Sequence, residues 1–425
     1  MSSLRVYINK VWATVPWREV FAWLPVAGIL MLISSLPYGW SVYQKISFFV
    51  VGISTGLYYI SNEQWKHLTW NKSKWVFVCM LLLFAILPIR QLFDPTPMTG
   101  YAWHQLHLNE WFIYVGIIGL IGFTPKLKVQ HVACVMLATC VVMLVHSAYL
   151  YYGTVEFWFM YPLERWCRLR STHIHSHMVM NLYANTAIVM GFMALKETKT
   201  LWGKVLIGVG MLLSWVSIIF SYGRVGSVTS IIVIGVCVFA SLYQKHRNWA
   251  IGLSIAALVF GGWVVMNNPR IFKHAIDSDP RKAIWEYSWK MLKEKPICGY
   301  GLSTLSEEYV AGVYEDEGMK RDFLPIIEYE NTFIPQGKTM LTHHPHNAFL
   351  MYWLSYGIIG VLLLLLFFAV AFSMPVGDKR VYWWLILTAI ILQCMTEPIG
   401  DHLRPQFMAL IILVIHSIYC PKESQ

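Results

Sequence analysis

The sequence predicts an all-α polytopic membrane protein of about twelve transmembrane helices, with one large polar segment between the ninth and the tenth. Three observations predict it. Charged residues make up 13% of the 425 and hydrophobic ones 57%, with a mean hydropathy of +0.51, whereas a soluble domain carries about 25% charged residues. The apolar residues run in long unbroken blocks, which the period-2 alternation of barrel strands would not give. With no water in a bilayer to satisfy backbone groups, such blocks must be helices. Twenty Trp and 23 Tyr suit aromatic belts at the two interfaces.

A spanning helix needs about 20 mostly apolar residues. Blocks of that kind cover 20–40, 46–62, 75–93, 108–123, 129–152, 176–195, 201–222, 225–243, 248–266, 347–372, 381–399 and 405–420, the second, fourth and last being short. The chain thus divides into helices one to nine (1–266), a large loop (267–346) and helices ten to twelve (347–425). No internal repeat is evident. The basic, amphipathic N-terminus MSSLRVYINKVWATVPWREV lacks an A-x-A cleavage pattern and reads as retained.

An even helix count puts both termini on one side, and the Lys/Arg bias says which. Arg5, Lys10 and Arg18 precede helix one. Alternate short loops then hold Lys66, Lys72 and Lys74; Lys126 and Lys128; Lys196, Lys199 and Lys204; Lys245 and Arg247; Lys379 and Arg380. By the positive-inside rule those loops and both termini are cytoplasmic, and 267–346 lies outside. The net charge of +10 would point to nucleic acid in a soluble protein. Here the cytoplasmic loops account for it, and no nucleic-acid partner is expected. Of the eight cysteines, five (Cys79, Cys134, Cys140, Cys237, Cys394) lie in apolar blocks as small hydrophobes, and no CxxC pair occurs.

The cations on the two sides differ in kind. Inside there are twelve Lys against four Arg; the short outer loops hold one Lys, Lys45, against six Arg: Arg90, Arg165, Arg168, Arg170, Arg224 and Arg404. Any cation serves retention inside. Arg outside points to forked recognition of phosphate or carboxylate, the plainer alternative being head-group contact or snorkelling.

Four patterns at the predicted outer face could carry chemistry. SYGRVGS (221–227) flanks Arg224 with glycines that let backbone approach closely, at a helix start whose N–H groups favour anions. DSDPRKAIWEYSWKMLKEKPICGYG (277–301) spaces Ala283, Ile284, Trp285, Trp289 and Leu292 as one amphipathic helix, opening after Pro280 and ending before Pro296, with Arg281 in its first turn. THHPHNAFLMYWLSYGIIG (342–360) sets His346 and Asn347 where the loop enters helix ten, and LERWCRLRSTHIHSH (163–177) gathers Arg165, Arg168 and Arg170 with three His. The His groups 343/344/346 and 173/175/177 could instead bind zinc, though they lack an obvious carboxylate or Cys partner. Asp277 and Asp279 match a DxD metal–diphosphate pattern, a short pattern that arises often by chance in polar loops.

His346-Asn347, nine residues, Gly357, two residues and Gly360 resembles the signature of bacterial O-antigen ligases, a superfamily shared with O-antigen polymerases and protein O-oligosaccharyltransferases. Ser-x-x-Arg-x-Gly at Arg224 looks like that family's Ser-Arg segment, with Gly223 where the Ser usually stands. Arg281 with Ile284-Trp285, then Pro296-x-x-Gly-x-Gly301, looks like its outer loop. The resemblance covers about residues 165–420. It implies a GT-C-like fold and metal-independent, inverting transfer, without cofactor, of a glycan from undecaprenyl diphosphate at the periplasmic face of the bacterial inner membrane.

On that resemblance Arg224 and Arg281 hold the diphosphate leaving group, with Arg168 or Arg170 beside them, His346 takes the acceptor's proton, and Asn347 orients acceptor or imidazole. The expected acceptor is the lipid A-core, making the chain a ligase. The alternatives are a polymerase that extends a second lipid-linked repeat unit and, from another class, a transporter or flippase. Against the last, the candidate residues gather on one face and the helices hold few buried charges, Glu397 being the main exception. Membrane lipids are partners in every case.

Overall fold

A computed structural model describes residues 16–38, 41–61, 70, 72–121, 126–152, 177–220, 224–243, 246–249, 251–252, 254–256, 259, 263, 281–325, 344–396 and 404–420. Every extended regular element among them is helical. In chain order these are α1 (Trp17–Ser35), α2 (Ser41–Ser61), α3 (Trp75–Gln91), α4 (Gly100–Ile121), α5 (Val129–Tyr152), α6 (His177–Glu197), α7 (Leu201–Phe220), α8 (Arg224–Leu242), α9 (Arg281–Glu294), α10 (Leu302–Glu315), α11 (Glu317–Asp322), α12 (Ala348–Phe372), α13 (Arg380–Cys394) and α14 (Arg404–Tyr419), with short 3-10 turns between some of them.

Eleven of the twelve predicted apolar blocks coincide with one of these helices; the other, 248–266, lies largely outside the described residues. Among the described residues five helical segments are long and apolar enough to cross a membrane: Lys72–Gln91, Val129–His146, Leu201–Ile219, Val225–Leu242 and Ala348–Phe372. Glu19–Ser35 and Pro405–Tyr419 are shorter apolar helices. Two boundaries differ from the hydropathy reading. Helix α4 begins at Gly100 rather than near 108, because its first turns carry His104, Gln105 and His107, polar residues that hydropathy discounts but that sit comfortably on a helix. Helix α13 stops at Cys394, four residues ahead of Pro398, whose ring disfavours the helical conformation just before it.

Helix α6 is the hub. It packs on α5, α7, α8 and α13, and residues 179–191 are all buried, the mark of a helix surrounded by others rather than one showing a face to solvent or lipid. Around it α1 pairs with α2, α3 with α4 and α12, and α4 with α14.

A second, smaller core lies in 281–325. Ala283, Ile284, Met291 and Leu292 of α9 pack with Leu305, Tyr309 and Val313 of α10 and with Met319 and Phe323, and Leu354 of α12 completes the cluster. The amphipathic helix expected at 281–294 is present with the expected ends. Its buried face runs through Ala283, Ile284, Ser288, Met291 and Leu292, while Trp285 and Trp289 flank it at 37% and 51% exposure. Burial raises the Tyr287 hydroxyl to about 12, with nearby carboxylates adding to the effect, so it stays protonated and donates to the Glu308 carbonyl at 3.0 Å.

This helical unit is stitched to the bundle by a break in α12. At Gly357 the backbone leaves the helix (φ 68°, ψ −163°), and a Cβ there would sit 1.8 Å from the Ile297 carbonyl oxygen. The freed polar groups are taken up by residues 296–301. Tyr300 N donates to Leu354 O at 2.6 Å, Gly301 N to Ser355 O at 3.0 Å, and Ile358 N to Ile297 O at 3.1 Å. The Trp353 indole closes the seam on Pro296 O at 2.9 Å. Gly299 faces the break from the other side, with φ 65° and room for no side chain: its Cβ would lie 2.5 Å from Leu354 O. Pro-x-x-Gly-x-Gly and Gly-x2-Gly are therefore two halves of one backbone junction, in which loop and helix exchange backbone hydrogen bonds that the break in α12 releases.

Candidate functional site

Side-chain contacts fix which helix ends lie together. At one end Lys74 Nζ (start of α3) donates to Leu120 O (end of α4) at 2.8 Å, and Ser241 (end of α8) meets Tyr382 (start of α13) at 3.2 Å. There too Lys196 (end of α6) lies over the Tyr382 ring, and Tyr419 (end of α14) donates to Glu197. The opposite end therefore gathers the end of α3, the starts of α4, α6 and α8, the end of α13 and the start of α14. Asn347, at the start of α12, joins it by donating from Nδ2 to Met395 O at 3.1 Å. Among the described residues, the short-loop lysines beside these helix ends, Lys72, Lys74, Lys196 and Lys379, thus share one end, and the segments of Arg224, His346 and Asn347 the other.

Three side chains hold the entry to α12. Asn347 is its N-cap: Oδ1 accepts from Phe349 N at 2.9 Å and from Leu350 N at 3.1 Å, filling orphan helix-start donors. His346, just before it, is the one non-glycine residue with positive φ (48°) among the described residues. That conformation costs an L-residue about 1–2 kcal/mol and needs support. His344 supplies part of it, its Nδ1 accepting from His346 N at 3.3 Å. Trp285 supplies the rest, its Nε1 donating to Pro345 O at 3.0 Å. Arg281 stands one helical turn before Trp285, on the same face of α9, and is half-buried. The Trp285–Pro345 hydrogen bond thus ties the helix that opens with Arg281 to the segment that carries His346.

Arg224 is the first residue of α8, as the sequence suggested, and its own side chain lies outside the described atoms. Two residues on, Gly226 lies against α6 so closely that a Cβ would sit 2.4 Å from Asn181 Nδ2, and Asn185 Nδ2 donates to Gly226 O at 3.1 Å. Close approach of backbone is real here, and it fixes the start of α8 against the start of α6. Arg168, Arg170, His173, His175, His343, Asp277 and Asp279 fall outside the described residues. Among the described residues no three His, Cys, Asp or Glu side chains gather as a metal site.

Two residues matter that the sequence reading did not single out as site residues. Arg90, counted among the outer arginines, donates from Nε to Cys298 O at 3.1 Å and from Nη2 to Gly299 O at 3.2 Å, so its fork grips loop carbonyls. Asp94 caps α10 from a distance, accepting from Ser303 N at 3.1 Å, Thr304 N at 3.4 Å and Thr304 Oγ1 at 2.5 Å. The N-cap residue of α10 is Gly301, which has no side chain for the task. Arg90 and Asp94 together anchor residues 298–304 to the bundle. Arginine in an outer loop was the available signal for the first; nothing local to α10 signals the second.

The arrangement offers an imidazole and a carboxamide at a helix start, a guanidinium on the helix tied to that start, and a second arginine opening a helix at the same end. Helix starts favour anions, and guanidinium groups grip phosphate oxygens in pairs. Residues 209–365 match the protein-family model described as O-antigen ligase, a stretch running from within α7 through α8 and the α9–α11 unit into α12. Among curated proteins no significant match is found.

Proposed function

We propose, from the match of residues 209–365 to the O-antigen ligase family, that the chain transfers a glycan from undecaprenyl diphosphate to a hydroxyl of the lipid A-core at the outer face of the bacterial inner membrane. The acceptor oxygen attacks the anomeric carbon, the bond to the diphosphate breaks on the far side, and the configuration inverts. Undecaprenyl diphosphate leaves with the electron pair. His346 accepts the proton of the attacking hydroxyl, with Asn347 beside it as orienting group. Arg281 and Arg224 bind the diphosphate, whose negative charge grows as the bond breaks, so they stabilise the transition state more than the ground state. Arg168 and Arg170 are proposed as further diphosphate contacts. No metal or cofactor is needed where guanidinium groups neutralise the leaving group.

The observation that carries this reading is the Trp285–Pro345 hydrogen bond, which ties the helix of Arg281 to the segment of His346. It gives an acid–base group and a phosphate-binding group a common frame, as the chemistry requires. The test is His346→Ala in purified protein in lipid nanodiscs, with lipid-linked glycan as donor and lipid A-core as acceptor. Transfer should be lost while expression and insertion stay normal; full activity would remove His346 from the mechanism.

The polymerase reading shares donor and site and differs in its acceptor. Deleting the gene separates them. Loss of a ligase leaves long chains on the lipid carrier and bare core, whereas loss of a polymerase leaves core capped by single repeat units. We expect the first pattern, because the chain's one large outer loop has a single bulky acceptor to dock.

A further inference from the structure

We propose that His344 is a positioning residue for His346, acting through the acceptor nitrogen Nδ1; the inference rests on His346 being the base. His344 lies off the family pattern, which assigns it no such role. Three observations give it one. The residue is buried, at 8% exposure. Its Nδ1 accepts from the main-chain N–H of His346 at 3.3 Å. Its faces are occupied by other rings: Tyr101 of α4 stacks on it (centroids 6.1 Å, 27° between planes), and the His346 ring meets it edge-on at 4.5 Å.

The chemistry follows from the hydrogen bond. An imidazole that accepts at Nδ1 is neutral and carries its proton on Nε2, so the contact fixes one tautomer of His344. The bond it makes is to the backbone of the one described non-glycine residue held at positive φ. Left alone, residue 346 would relax toward ordinary φ, and its side chain would swing away from the direction it now takes. The His344 acceptor and the Trp285 donor hold the two polar ends of one peptide unit, Pro345–His346, which enters this conformation. Tyr101 keeps the His344 ring from turning. His344 does not need to touch either substrate for this.

Two substitutions divide the acceptor from the ring. His344→Asn keeps an acceptor oxygen at about the position of Nδ1 and loses the ring. His344→Phe keeps a stackable ring and loses the acceptor. In the nanodisc transfer assay, His344→Phe should lower kcat roughly ten- to hundred-fold, as a small misplacement of a reacting group does, with KM for the donor within about two-fold. His344→Asn should hold kcat within about three-fold of the wild type. A merely space-filling role predicts the reverse order. Wild-type kcat in His344→Phe, a folded His344→Asn as poor as the Phe variant, or a loss confined to KM would each overturn the proposal. Should His344→Phe fail to insert, Tyr101→Leu provides the second reading: it removes the ring behind His344 and should lower kcat part-way, and an unchanged kcat would overturn the proposal. His346→Ala is run alongside. Activity there sinks the base assignment itself, whereas a dead His346→Ala beside a fully active His344→Phe sinks only the positioning role.

Discussion

The Trp285 indole donates to the Pro345 carbonyl across 3.0 Å, and this bond joins the helix that carries Arg281 to the turn that carries His346. Trp285 is 37% exposed, so its replacement barely disturbs the small core beside it. Trp285→Phe keeps the apolar ring and loses only the donor. A hydrogen bond of this kind contributes about 0.5–1.5 kcal/mol, so the transfer rate should fall about three- to ten-fold, with a drop in melting temperature of no more than a few degrees. A rate equal to wild type would mean that the two segments are held together by other contacts.

The break in α12 gives a stability prediction with an internal control. Gly357→Ala meets both an unfavourable positive φ and the Ile297 carbonyl, whose oxygen would lie 1.8 Å from the new Cβ. Together these should cost about 2–5 kcal/mol. Gly377 has a similar φ of 61°, yet a Cβ there meets nothing within 4 Å, so it isolates the backbone cost. Gly377→Ala should lose only about 1–2 kcal/mol. Thermal unfolding of the two variants in the same detergent measures the difference, and equal losses would show that the seam with residues 296–301 yields freely.

That seam also marks where sequence reading stopped. The helices were legible because a bilayer demands long apolar blocks, and the expected block 129–152 matches the ends of α5. The glycines at 299, 301, 357 and 360 were legible only as spacings. What they do depends on backbone carbonyls meeting across more than fifty residues of chain, and carbonyls leave no trace in residue identity. Arg90 was unreadable for a related reason. A guanidinium that binds loop carbonyls and one that binds phosphate are the same side chain, and only the tertiary structure tells them apart. At His344 the pattern directs attention to His346 and Asn347 alone, and the hydrogen bond and ring contacts around His344 appear only in the fold.

The α9–α11 unit should loosen in acid. Asp316 caps α11 through Met319 N at 3.0 Å and pairs with Lys290 of α9 at 2.6 Å. Burial alone would raise its carboxyl, but the Lys290 hydrogen bond, the Met319 N–H and the Lys290 charge together hold it below the ordinary value. A group depressed in the folded state stabilises it fully above the unfolded pKa of about 3.9 and loses that contribution as pH falls through the folded value. Limited proteolysis within 281–325 should therefore quicken below about pH 4. Asp316→Asn should cleave faster at neutral pH and lose most of the pH dependence. A variant whose cleavage still rises as steeply in acid as the wild type would assign the effect to other carboxylates.

The last prediction concerns geometry rather than charge. Lys in place of Arg281 or Arg224 keeps a cation at each position but presents one ammonium point instead of a planar fork, and a diphosphate offers paired oxygens that only the fork can take two at a time. If charge alone matters, both Lys variants should work nearly as well as wild type, with activity falling as salt screens the site. If the fork matters, each should lose at least ten-fold in kcat, because bidentate contacts are worth most as charge builds on the leaving oxygen. We expect the second outcome at both positions. For Arg281 the reason is local: it stands one turn from the Trp285 anchor, so the backbone it reaches from is fixed, and a shorter Lys without the fork would fall short of the paired oxygens. For Arg224 the reason is the start of α8, pinned to α6 at Gly226, which fixes the backbone from which the side chain reaches. Measuring kcat and donor KM for both variants at low and high salt separates the two cases, and near-wild-type kcat in either Lys variant would remove that arginine from the diphosphate clamp.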